Sequence, residues 1–246
     1  ISPLNECPVD DGWRVTGLSS SHRSHGGQRG GSLLAAEMAV DADFEFFQQY
    51  GTISGVENRV NAVINSVNTQ YESQCSLTHE IQAIVVRNTS DDPYSTNSID
   101  TRLDQLQAEW NGGNHPGIAR DIVHLFTGVD TGSTIGLAYV GAVCSGWEYG
   151  VVQSNCCGSF GCATDLSAHE MGHNWNSGHC DCPSHTMNPS LTCSNQFTSG
   201  SISSITSFAN SISGCLHVPE SHGACCIGAS CSVTTEADCG GEYLGD

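Results

Sequence analysis

The stretch His169-Glu170-Met171-Gly172-His173-Asn174-Trp175-Asn176-Ser177-Gly178-His179 constrains this chain more than any other. Side chains four residues apart share one face of a helix, so His169 and His173 can aim imidazole nitrogens at a single point. Glu170, one step round, is placed to handle a proton at that point without being a ligand. His179 reaches the same point only if the helix stops and the chain turns sharply, and Asn176-Ser177-Gly178 supplies that turn. A bare H-E-x-x-H arises by chance in roughly one chain of this size in a hundred or two, and a third histidine at the proper offset lowers that chance by more than about tenfold. Metal binding therefore outweighs a solvated helix face. Three neutral imidazoles, with no thiolate among them, leave a zinc ion an open position, the arrangement of a catalytic rather than a structural site.

Fourteen cysteines in 246 residues point to an oxidising compartment, and secretion is the expected localisation. Thiolate zinc sites favour a two-residue gap, which Cys180-x-Cys182 and the adjacent pairs 156/157 and 225/226 lack, so disulfides are expected. The formal net charge of −19, from 26 acidic residues against 7 basic ones, repels phosphate backbones and anionic membrane surfaces. Nucleic acid is excluded as a partner. The longest apolar run, Ile135 to Cys144, is about ten residues and broken by glycine, too short to span a bilayer. The chain starts at Ile1 with no charged start and apolar run, so a signal peptide is expected to have been removed or left out.

Residues 17–32, rich in Gly, Ser, His and Arg, read as a flexible connector. Leu33 to Phe47 is expected to hold a strand, with a turn at Tyr50-Gly51. Val56, Val60, Val63, Ile64 and Val67 recur at helical spacing, His79 to Val86 reads as a strand, and Ser98 to Trp110 as an amphipathic helix. Asp121 to Phe126 and Ile135 to Val143 read as further strands. This alternation predicts an α/β sandwich on a mainly parallel twisted sheet. Beyond residue 145 only two helices stand out, near Thr164–Trp175 and Ser201–Ser213, and the stretch from about Ser221 looks like a small cysteine-rich unit. The expected organisation is an N-terminal extension and connector at 1–32, a catalytic domain at 33–217 and a cysteine-rich module at 218–246.

The histidine stretch resembles the zinc signature of the metzincin metalloendopeptidases, H-E-x-x-H-x-x-G-x-x-H followed by a methionine turn, which Ser184-His185-Thr186-Met187-Asn188-Pro189 matches. Thr134 to Gly141 resembles the edge strand of the adamalysin (reprolysin, snake-venom and ADAM-type) branch. Two positions depart from the pattern. Asn176 replaces the turn glycine, and Asn is the non-glycine residue that best tolerates positive φ. Cys180 stands where adamalysins carry Asp, which here comes at Asp181.

The resemblance implies an α/β (α+β) metzincin-like fold: a twisted, mostly parallel five-stranded sheet with helices, an active-site helix and an irregular disulfide-rich C-terminal subdomain. It implies a secreted zinc-dependent endopeptidase acting on protein or peptide substrates, with His169, His173 and His179 as zinc ligands and Glu170 as general base and acid. Met187 would form an apolar floor, substrate would lie extended along Gly136, Leu137, Ala138 and Tyr139, and Asn188-Pro189-Ser190 would wall the primary pocket. It further implies a Cys144–Cys215 pair and calcium binding, for which Glu37, Asp41, Asp91, Asp92 and Asp130 are candidates beside the plainer reading of a solvated acidic surface. Cys7 is either a zinc-blocking propeptide cysteine or a disulfide partner completing five pairs with the nine cysteines from 75 to 215. His124 is expected to be a core histidine, and His22 and His25 to be solvated. The alternative function is a metzincin-like scaffold serving as a surface structural or binding protein with catalysis blocked or absent. The intact Glu170 argues against it.

Overall fold

The computed structural model describes residues 14–15, 33–219, 222–227, 230–235, 238–240 and 242–243. β1 (Arg14–Val15), β2 (Leu34–Ala42), β3 (Leu77–Val86), β4 (Ile122–Phe126), β5 (Gly136–Val140) and β6 (Tyr149–Val152) make one sheet in the order β1-β5-β6-β4-β2-β3. β3, β2, β4 and β6 are parallel neighbours, whereas β5 runs antiparallel to β6. The expected five-stranded, mostly parallel sheet is therefore present as β2 to β6. β1 adds to it on the outer edge of β5, running parallel to that strand with Arg14 opposite Tyr139 and Val15 opposite Val140.

The segment after β2 corrects the sequence reading. Phe44, Phe46 and Phe47 suggest a strand, but they form helix α1 (Phe44–Tyr50). The Asp43 carboxylate accepts a bond from the Phe46 amide at 2.7 Å, a cap that starts the helix, and Gly51 ends it at φ +70°. Cap chemistry here outweighs the strand preference of the aromatics. α2 (Ile53–Cys75) follows its valine spacing, with Val56, Val60, Val63, Ile64 and Val67 all buried. Ser98 caps α3 (Ile99–Asn111), which buries Ile99, Leu103, Leu106 and Trp110. The two-residue strand period then divides the core. Met38 and Val40 of β2 face α2 and the helices α4 (Phe160–Asn174) and α5 (Ser199–Ser211), while Ala39 faces α3 together with Val123, Leu125 and Leu137.

β7 (His222–Ile227), β8 (Ser230–Thr235) and β9 (Glu242–Tyr243) form a separate antiparallel sheet in the order β8-β7-β9. Cys144 pairs with Cys215, as the resemblance implies, and Cys162–Cys193 and Cys180–Cys182 are also bridged. Cys75 corrects the five-pair count: it is a free thiol in the core at the end of α2, and burial pushes its pKa up to about 12. Cys7, His22 and His25 lie outside the described residues.

Glu148, just before β6, is buried, and its Oε2 has no hydrogen-bond partner among the described residues. Burial raises its pKa to about 7, against the pull of Arg120. A carboxyl raised in this way contributes stability that is fully present below its ordinary value near 4.5 and is lost as pH rises through 7. Glu148→Gln removes that loss. The variant is expected to gain on the native chain by about 1–3 kcal/mol between pH 4.5 and pH 8. Urea unfolding at both pH values measures it, and an equal difference at the two would contradict it.

Candidate active site

α4 begins at the Ser159 cap, and every residue from Ala163 to Asn174 is buried. This includes the polar Thr164, Asp165, Ser167, His169, Glu170, His173 and Asn174. Polar groups sunk this deep need partners, and those partners build the site.

The His169 Nδ1–H donates to the Thr186 carbonyl at 2.6 Å, and the His173 Nδ1–H donates to the Ser177 carbonyl at 2.8 Å. A carbonyl only accepts, so both protons sit on Nδ1 and both Nε2 atoms carry lone pairs. Asn176 takes φ +68°, the left-handed turn expected of it, and the Ser177 amide bonds back to the Gly172 carbonyl at 2.8 Å. The turn returns His179 to the helix. Nε2 of His173 lies 3.0 Å from that of His169, and Nε2 of His179 lies 3.1 Å from His169 and 3.2 Å from His173. Burial holds His169 well below the usual imidazole range and His173 down to about 4, helped in each case by the neighbouring rings. The lone pairs on His169 and His173 repel one another at this distance unless a cation lies between them, and His179, half-buried at the mouth, adds a third ring nitrogen, so the donor set fits a zinc ion. Among the described residues the only other cluster of this kind is Asp121, Cys144 and Cys215, whose sulfurs are committed to a disulfide.

Glu170 is fully buried and faces β5. A Cβ added at Gly136 would sit 2.6 Å from Glu170 Cδ and closer still to Oε1, so the strand approaches the carboxylate because position 136 has no side chain. Gly172 does the same for the methionine turn, since a Cβ there would meet Met187 Sδ at 2.5 Å. Met187 is itself fully buried, and its carbonyl accepts from the Cys180 amide at 2.9 Å.

β5 is tied to α4 by Asn174. Its Nδ2 donates to the carbonyls of Tyr139 at 2.9 Å and Tyr149 at 3.1 Å, and its Oδ1 accepts from His124 Nε2 at 2.7 Å. The Gly141 and Ala142 amides bond the carbonyls of His173 and Asn174, both at 2.9 Å. The helix carrying two histidines and the strand from Gly136 to Val140 are thus one rigid piece. His124 is a core histidine, as expected, held down to about 4 by burial.

Sequence reasoning assigns no role to Asp165, Asn174 or Thr186; for Asp165 and Asn174 the available signal is a polar residue recurring along the helix that carries the histidines, and Thr186, in the methionine turn, leaves none. The acidic residues considered for calcium are not gathered into a cluster among the described residues. Asp41 pairs with Arg87 at 2.7 and 2.9 Å, Asp92 accepts from the Phe44 and Tyr94 amides, and Asp130 accepts from the Gly132 amide.

A profile of the Reprolysin_5 family, described as metallo-peptidase family M12, matches residues 35–235. A stretch of 139 residues is 27% identical to the zinc metalloproteinase-disintegrin-like atrase-A of Naja atra. It spans 56% of this chain and 22% of that relative's length. With most of its length matched by that profile, the chain belongs to the reprolysin-type M12 metallopeptidases.

Proposed function

We propose that this chain is a secreted zinc-dependent endopeptidase, with its catalytic domain at 33–217 between an N-terminal extension at 1–32 and a cysteine-rich module at 218–246. The observation that carries the reading is the meeting of three histidine Nε2 atoms within 3.2 Å of one another, two of them with their ring protons committed at Nδ1, beside a buried glutamate and a strand edge. His169, His173 and His179 would hold the ion. When bound, zinc supplies Lewis acidity, which polarises a carbonyl and brings the pKa of water toward neutrality. Glu170 takes the proton from the attacking water and delivers it to the leaving amine, so the peptide bond is hydrolysed without a covalent intermediate. Gly136, Leu137, Ala138 and Tyr139 hold the substrate extended by main-chain hydrogen bonds, a mode that tolerates varied sequence. Arg14 and Val15 occupy the far end of that edge, opposite Tyr139 and Val140, so a substrate running its full length takes their place. Met187 supports the site from below the helix at Gly172.

The disulfides support an extracellular location, and no described helix is long and apolar enough to cross a membrane. The test is metal analysis together with cleavage of unfolded casein. One zinc per chain, activity lost to a chelator and restored by zinc is the expected result. A chain that binds no zinc and leaves casein intact would overturn the reading.

A further inference from the structure

Asp165 sits one helical turn before His169 on the same face of α4 and is fully buried. Its Oδ1 accepts from Thr186 Oγ1 at 2.7 Å and from the Asn195 amide at 3.0 Å. Its Oδ2 accepts from Thr192 Oγ1 at 3.1 Å and from the Ser194 amide at 3.2 Å. Among the described residues no cationic side chain pairs with it, so hydrogen bonds alone compensate this buried charge.

Those bonds converge on one peptide. Thr186 Oγ1, having given its proton to Asp165, accepts from Gln70 Nε2 at 3.0 Å. The Thr186 amide donates to the Gln196 carbonyl at 2.8 Å, and the Thr186 carbonyl receives the His169 Nδ1–H. Cys193 and Asn195, at φ +57° and +51°, wrap the loop around the carboxylate in a left-handed conformation that non-glycine residues adopt only at a cost. The two charge-assisted bonds to the Ser194 and Asn195 amides offset that cost.

We infer that Asp165 is a positioning residue for zinc: it clamps Thr186 so that the Thr186 carbonyl fixes the proton on His169 Nδ1 and aims Nε2 at the ion. This rests on the zinc reading above. A carboxylate suits the place because four donors surround it. An asparagine would turn an NH₂ group toward two of these donors in either orientation of its amide, breaking the bonds they make to the carboxylate. A ligand histidine whose outer partner is lost typically binds metal about 10–100-fold more weakly.

The test measures zinc affinity by chelator competition, and the visible spectrum of the cobalt(II)-substituted protein, for the native chain, Asp165→Asn and Thr186→Val. Both variants are expected to bind zinc about 10–100-fold more weakly and to shift the cobalt bands, while Thr186→Ser, which keeps the hydroxyl, restores both. If Asp165→Asn does not fold, Thr186→Val carries the same comparison. Native zinc affinity and an unchanged cobalt spectrum in the variants would overturn the role of Asp165 and leave the peptidase reading standing. A native chain that binds no zinc would overturn both.

Discussion

Glu170→Gln is expected to retain one zinc per chain and to lose casein hydrolysis by on the order of 10³-fold or more, almost all of it in kcat. The amide has the shape of the carboxylate, so the buried position beside Gly136 still accepts it, and the three imidazoles are untouched. What disappears is the group proposed to take a proton from water and hand it to the leaving amine. The proposed main-chain bonding of substrate along β5 does not involve this group, so KM should move little. Metal analysis and steady-state kinetics on the same preparation decide the matter, and a variant within tenfold of native turnover would remove Glu170 from the mechanism.

Gly136→Ala should nearly silence the enzyme without touching a titratable group. The new methyl would lie 2.6 Å from Glu170 Cδ, so either the strand or the carboxylate must give way. The strand is the stiffer of the two: Asn174 grips the Tyr139 and Tyr149 carbonyls, and the Gly141 and Ala142 amides are bonded to the end of α4. The carboxylate therefore yields. A displacement near 1 Å in a catalytic group costs about 10²-fold, and that loss in kcat/KM is expected with zinc content and melting temperature close to native. A fully active Gly136→Ala would mean that the strand does not rest against Glu170 in solution.

The histidines were legible in the sequence because their geometry is local: two lie one turn apart on a helix and the third follows a single tight turn. α2 and α3 were legible for a similar reason, since their apolar spacing is a property of a few consecutive turns. What escaped notice is held by partners distant in the chain. Asp165 meets Thr186 across 21 residues and Asn174 meets Tyr139 across 35, and neither leaves a periodic trace. β6 is only four residues long and carries a glycine, so it offers no alternation to read, although it lies between β5 and β4 in the sheet. At α1 the clustered phenylalanines resemble a strand, while the deciding interaction is a single capping bond that the Asp43 carboxylate accepts from the Phe46 amide.

The two-residue strand on the β5 edge has a kinetic meaning. Arg14 and Val15 belong to the same chain as the strand they lie on, so their local concentration is set by the length of the connection and not by how much protein is in the tube. A substrate laid along that edge as proposed would bind by exchange with a tethered neighbour. Dilution does not relieve such competition, and severing the tether does.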